Sequence, residues 1–146
     1  MVVLYTIGFG KKPLSEFVTL LRAYSVDLVV DVRLRNTSQL AGYTKRDDLA
    51  FLLREGFGIG YEHWPELAPT AEILDGYKAG HDWAAYERAY GQLLVERQAE
   101  QQGRDLLARA GAPCLLCAEP KAEHCHRRLI AEYWAGCLGG IEIVHL

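Results

Sequence analysis

A chain of 146 residues, half of them apolar and about a quarter charged, is long enough for one domain with a proper core. Its net charge of −3 excludes a protein-wide basic field for attracting nucleic acid, but not a local basic patch. No apolar run approaches the length of a bilayer span, and no basic, apolar leader opens the chain, so the expectation is a cytoplasmic protein with no membrane partner.

Val2 to Ile7 is a short β-branched run and predicts a first strand. Gly8-Phe9-Gly10 turns the chain, and Pro13 to Tyr24 carries apolar residues at helical spacing, with the proline at the first position. Asp27 to Val32 predicts a second strand, apolar enough to be covered on both faces. This β-α-β start favours a parallel pair with a right-handed crossover. Leu34 to Thr44 is irregular. Lys45 to Glu55 predicts a helix ended by Gly56, and Phe57 to His63 a third strand weakened by Gly58 and Gly60. Trp64 to His81 reads as a long loop with one helical turn near Ala71 to Tyr77, in the manner of a lid or binding loop. Asp82 to Arg109 is helical with a break at Gly103. Cys114 to Ala118 is the fourth strand, Cys125 to Trp134 the last helix and Ile141 to His145 the last strand. The alternation predicts one α/β domain over residues 1–146, a three-layer sandwich with a mostly parallel sheet of about five strands and helices on both faces.

In such sheets the ligand crevice lies beyond the carboxyl ends of the strands. Each unusual polar cluster follows a predicted strand end: Gly8 and Gly10 after the first, Asp31, Arg33 and Arg35 at the second, Glu62, His63 and Glu66 after the third. After the fourth come Glu119, Cys125, His126 and Arg127. If the last helix starts near Glu123, then His126, Arg127 and Arg128 occupy its first turn, where cations are disfavoured. Glu119, Glu123 or a bound anion must offset them.

Several of these segments resemble the family catalogued as domain of unknown function 488: Cys117-Ala118-Glu119 before a loop and Cys125-His126-Arg127, Thr6-Ile7-Gly8, Val30-Asp31-Val32-Arg33, Pro65-Glu66-Leu67 and Val144-His145-Leu146. The resemblance runs from end to end and implies a fold and a site location, not a reaction. The family pattern often carries His-Ser where this chain has Phe9-Gly10. A more distant resemblance is to rhodaneses, whose loop wraps a single reactive cysteine; here Pro120, Glu119 and Glu123 stand where small residues would be wanted.

Candidate roles follow from residue chemistry. Asp31 and Arg33, two apart on a strand, face the same side. They either tie down the strand end or present a guanidinium fork to a phosphate or carboxylate. Cys117 is either a small buried hydrophobe or a thiolate nucleophile. His126 can move a proton near neutral pH, with Glu119 orienting it or acting as the base. Arg127 is the expected anion clamp, with Asp31, Gly8 and Glu66 as further binding residues, and His63 as a helper in proton transfer. Cys125 spaces with Leu129 and Tyr133 and reads as core, and His145 as a plain strand end. No metal is expected, because Cys114 and Cys117 should point to opposite faces and the His-x-Glu half of a zinc deaminase signature is missing. All four cysteines should be reduced. The dinucleotide fingerprint fails for want of a third glycine, and no cofactor is assigned. The preferred function is an enzyme acting on a phosphate-bearing or other anionic substrate, a nucleotide or nucleic acid included; the alternative is a non-catalytic module that binds an anionic small molecule or nucleic acid. The sequence assigns neither substrate nor oligomeric state.

Overall fold

The computed structural model describes residues 1–146. Five strands, β1 (Val2–Gly8), β2 (Leu28–Asp31), β3 (Gly60–His63), β4 (Pro113–Cys117) and β5 (Ile141–His145), form one sheet in the order β3-β2-β4-β1-β5, parallel throughout. The helices are α1 (Leu14–Ala23), α2 (Arg46–Phe51, continued by a wider turn Leu52–Gly56), α3 (Ala71–Gly80), α4 (Trp83–Glu96), α5 (Glu100–Arg109) and α6 (His126–Leu138). None is long and apolar enough to cross a membrane.

Strand alternation divides the core in two. Ile7, Val29, Cys114 and Leu116 pack with Phe17, Val18 and Leu21 of α1 and Leu49 of α2 on one face. Leu4, Val30, Leu115 and Cys117 pack with Tyr90 and Leu94 of α4, Leu106 of α5 and Ile130 and Trp134 of α6 on the other. Every residue of β2 and β4 is buried, as strands covered on both faces must be. The α/β sandwich expected from the alternation is the fold observed.

Three boundaries differ from expectation. The stretch 64–81 is not mainly loop: α3 runs for ten residues, capped by Thr70, whose hydroxyl accepts from the Ile73 amide at 3.2 Å. Its apolar residues Ile73, Leu74 and Tyr77 lie at the edge of core and pocket and are only partly buried, so the usual apolar periodicity is weak. The long helical stretch breaks at Gln98, where φ is +54°, not at Gly103. Gly103 sits inside α5 because a Cβ there would lie 2.8–2.9 Å from the Trp134 ring. Finally, α6 starts at His126 with Cys125 as its N-cap, within one residue of the expected start at Cys125 but three later than the Glu123 start that would put His126, Arg127 and Arg128 in one early turn, and it runs on past Trp134 to Leu138.

Candidate functional site

Beyond the carboxyl ends of β2 and β4 lies a pocket of about 280 Å³, covered by α3 and α4. Its floor is built from Cys117, at the last position of β4, and from Cys125 and His126, at the start of α6. The loop between them leaves the sheet and returns, so residues eight and nine positions apart meet. The two sulfur atoms and a ring nitrogen of His126 lie within 4.8 Å of one another. The Cys117 sulfur is 3.6 Å from Nδ1 of His126. Nε2 of the same ring lies 2.6 Å from the Val32 carbonyl oxygen. A carbonyl only accepts, so Nε2 carries the hydrogen and the Nδ1 lone pair faces the thiol.

The two thiols cannot both ionise. Hydrogen bonding to Cys125, together with burial, pushes the Cys117 thiol well above the ordinary range. Burial also opposes ionisation of Cys125, but the Cys117 S–H and His126 outweigh it, and its pKa is held well below the usual value. The two thiols therefore titrate as a coupled pair, with ionisation of Cys125 favoured over that of Cys117. Cys114 points to the other face of β4, where burial alone pushes its thiol up.

The loop that carries Glu119 is pinned from behind. Phe9 and Gly10 amides donate to the carbonyls of Cys117 and Ala118 at 3.1 and 2.8 Å. Gly8 is needed for this approach: a Cβ there would stand 1.6 Å from the Glu119 carbonyl oxygen. Arg127 donates to the same oxygen at 2.7 Å and to the Thr6 hydroxyl at 3.2 Å. Thr6 in turn lies 2.5 Å from Nδ1 of His145, so the last strand has a structural part in the site's foundation. Burial, followed by the Arg127 charge, lowers the pKa of His145.

The cations of the pocket are Arg33, Arg35 and Lys78, with His124 beside them. Arg33 is anchored by Asp31, which accepts five hydrogen bonds: from the Arg33 backbone amide, Nε and Nη2, from Asn36, and from the Tyr61 hydroxyl at 2.5 Å. Burial raises the Asp31 carboxyl, but the Arg33 hydrogen bonds and charge prevail and its pKa is lowered overall. Arg33 Nη2 also reaches the Thr44 carbonyl, and its guanidinium lies 5.1 Å from the Phe9 ring centre. Arg35 is held at the mouth by both oxygens of Asp75 on α3, at 2.9 and 3.0 Å.

Of the residues singled out from sequence, Arg33, Arg35, Cys117, Glu119, Cys125 and His126 line this pocket. Asp31 lies beneath it as the support of Arg33. Three placements are corrected. Arg127 is fully buried, because the later start of α6 turns it toward β1; it braces the loop and cannot clamp an anion from the pocket. Gly8 makes room for the Glu119 carbonyl and touches no pocket. Glu66 borders a separate depression with Glu62, Trp64 and Arg109. His63 donates to the Arg33 carbonyl at 2.9 Å and is part of that scaffold. Cys125, read as core from its helical spacing, is buried in the core as expected and, as the residue just before the helix, also faces Cys117. Lys78 and the aromatic residues of α3 and α4 were not singled out, because nothing local in the sequence sets them apart.

Two thiols and an imidazole are also donors that a soft metal accepts. The buried guanidinium of Arg127, whose charge acts against the rise at Cys117 and adds to the lowering at Cys125, opposes a further cation there.

A parallel α/β sheet with a thiol–imidazole floor at its strand ends under a basic mouth defines the class of site. The chain belongs to the family described as domain of unknown function DUF488, whose model matches residues 13–134. No curated protein and no solved structure matches the chain, and kinship with rhodaneses is not shown.

Proposed function

We propose that this protein is an enzyme acting on a small anionic substrate, with a thiolate of the Cys117–Cys125 pair as nucleophile and His126 as its proton partner. The observation that carries this reading is that the two sulfurs and the imidazole open onto the same pocket as Arg33, Arg35 and Lys78. The thiol proton passes to Nδ1 of His126. The sulfur forms a bond to an electrophilic centre of the substrate, and the electrons of the broken bond leave with the leaving group, which takes the proton back from Nδ1. Water then cleaves the covalent intermediate. Its proton goes to Glu119 or His126, and the thiolate is regenerated.

The test is alkylation of the native protein with iodoacetate, a negatively charged reagent, followed by peptide mass analysis. Cys125 or Cys117 should be modified near neutral pH, and inorganic phosphate should slow the modification. Cys114, on the other face of β4, should stay unmodified. Failure of both pocket cysteines to react, or a stoichiometric zinc that survives dialysis, overturns the reading.

A further inference from the structure

Part of the pocket is aromatic. Tyr77 from α3 and Trp83 and Tyr86 from α4 line it, with Leu74 beside them. Trp83 stacks on Tyr86 and on His124, both with ring centres 4.9 Å apart and with interplanar angles of 20° and 30°. Tyr77 meets Trp83 edge-on at 5.5 Å and 71°. These rings make a continuous apolar wall from α3 to the loop before α6. Tyr86 belongs to the core, and Tyr77 and Trp83 pack against it while also lining the pocket. α3 has no fully buried residue, and Leu74, which lines the pocket, belongs to neither core cluster.

Size and charge narrow the occupant. A volume of about 280 Å³ lies at the lower end for small-molecule sites. It accommodates one ring and one anionic group, and it is too small for a dinucleotide or a run of stacked bases. Nε and Nη2 of Arg33 are engaged by Asp31 and Thr44, and Nη1 makes no hydrogen bond within the protein. The Arg35–Asp75 pair is solvent-exposed, so it holds the Arg35 fork weakly and yields to a better anion.

We infer that the substrate is an anion of nucleoside monophosphate size. Its single flat ring lies on the Tyr77–Trp83 wall, its phosphate is held by Arg35 and Lys78, and its reacting centre stands above Cys117, Cys125 and His126. This rests on the proposal that the pocket is the substrate site.

Calorimetric titration of the full chain with UMP, uridine and inorganic phosphate tests it. UMP should bind at least about tenfold more tightly than either fragment, the scale of one base–aromatic stack. Tyr77→Leu keeps the apolar bulk and loses the ring; it should weaken UMP about tenfold and leave phosphate unchanged. Trp83→Leu serves if Tyr77→Leu does not fold. Arg35→Gln should weaken UMP and phosphate alike. UMP binding no tighter than phosphate, or indifferent to loss of both rings, overturns the inference. Iodoacetate labelling of the same samples separates the two proposals. Normal labelling without a UMP preference sinks the substrate class alone, and UMP binding without labelling sinks the thiolate nucleophile alone.

Discussion

Nε2 of His126 points at the carbonyl oxygen of Val32, 2.6 Å away and one residue beyond β2, and this contact decides which nitrogen faces the thiols. Glutamine reproduces the Nε2 donor but offers nothing at the Nδ1 position. His126→Gln should therefore leave the urea midpoint nearly unchanged while slowing alkylation of the pocket cysteines at neutral pH at least about tenfold. His126→Leu should lose the reactivity and also destabilise by about 1–3 kcal/mol, because a buried carbonyl loses its donor. Equal reactivity in wild type and His126→Gln would remove the imidazole from the chemistry.

The Asp31–Arg33 pair makes a prediction about stability. Both side chains are nearly or fully buried, at 0% and 6% exposure. Asp31→Asn leaves Arg33 buried without its counter-charge, which should cost about 3–5 kcal/mol in denaturant unfolding. The pH dependence has a definite sign. The folded-state pKa of Asp31 is depressed, so its contribution is complete above the unfolded carboxylate range near ~4 and is lost as pH falls through the lower folded value. Acid unfolding of wild type should steepen in that interval, and Asp31→Asn should flatten it. A variant with the same acid slope as wild type would show that Asp31 is not the titrating group.

Much of this fold could be read from local pattern. The apolar runs at Val2–Ile7, Asp27–Val32 and Cys114–Ala118 give strands because doubly covered strands tolerate no polar interruption. The region of the site was readable for the same reason, since polar residues following such runs must emerge at one edge of a parallel sheet. What local pattern does not carry is the direction of side chains beyond the strand end. Arg127 is turned inward because the cap of α6 falls at Cys125 and not near Glu123. A three-residue shift of a helix start rotates every later side chain by most of a turn. The wall made by Tyr77 and Trp83 was not visible because it needs α3 and α4 to pack over an edge that is distant in sequence.

Gly103 separates local propensity from packing. Alanine in the middle of an exposed helix gains about 1 kcal/mol over glycine. Here the added Cβ meets the fully buried Trp134 ring, which is tied to the Ala99 carbonyl by a 2.8 Å hydrogen bond and cannot easily retreat. Gly103→Ala should thus destabilise by about 1–3 kcal/mol, the cost of an overpacked core. Gly91→Ala in α4, where a Cβ meets nothing within 4 Å, should stabilise or be neutral. Thermal melts of the two variants check the contrast. A Gly103→Ala protein that melts above wild type would mean that α5 shifts freely away from α6.

Arg127 is a buried cation close to the paired thiols. It is fully buried, makes no ion pair with a carboxylate, and its Nη2 has no hydrogen-bond partner. Its two contacts, to the Glu119 carbonyl and the Thr6 hydroxyl, are neutral. A guanidinium so placed is costly unless negative charge lies near, and its field acts against the rise at Cys117 and adds to the lowering at Cys125. Arg128, one residue on, spends its charge on Glu132 at 3.0 Å near the surface. Arg127→Met keeps the length of the side chain and removes the charge. It should move the alkylation profile of the pocket cysteines to higher pH by about one unit, whereas Arg128→Met should leave the profile in place. If both variants match wild type, the thiolate is held by His126 and the paired thiol alone, and Arg127 serves only to brace the loop at Glu119.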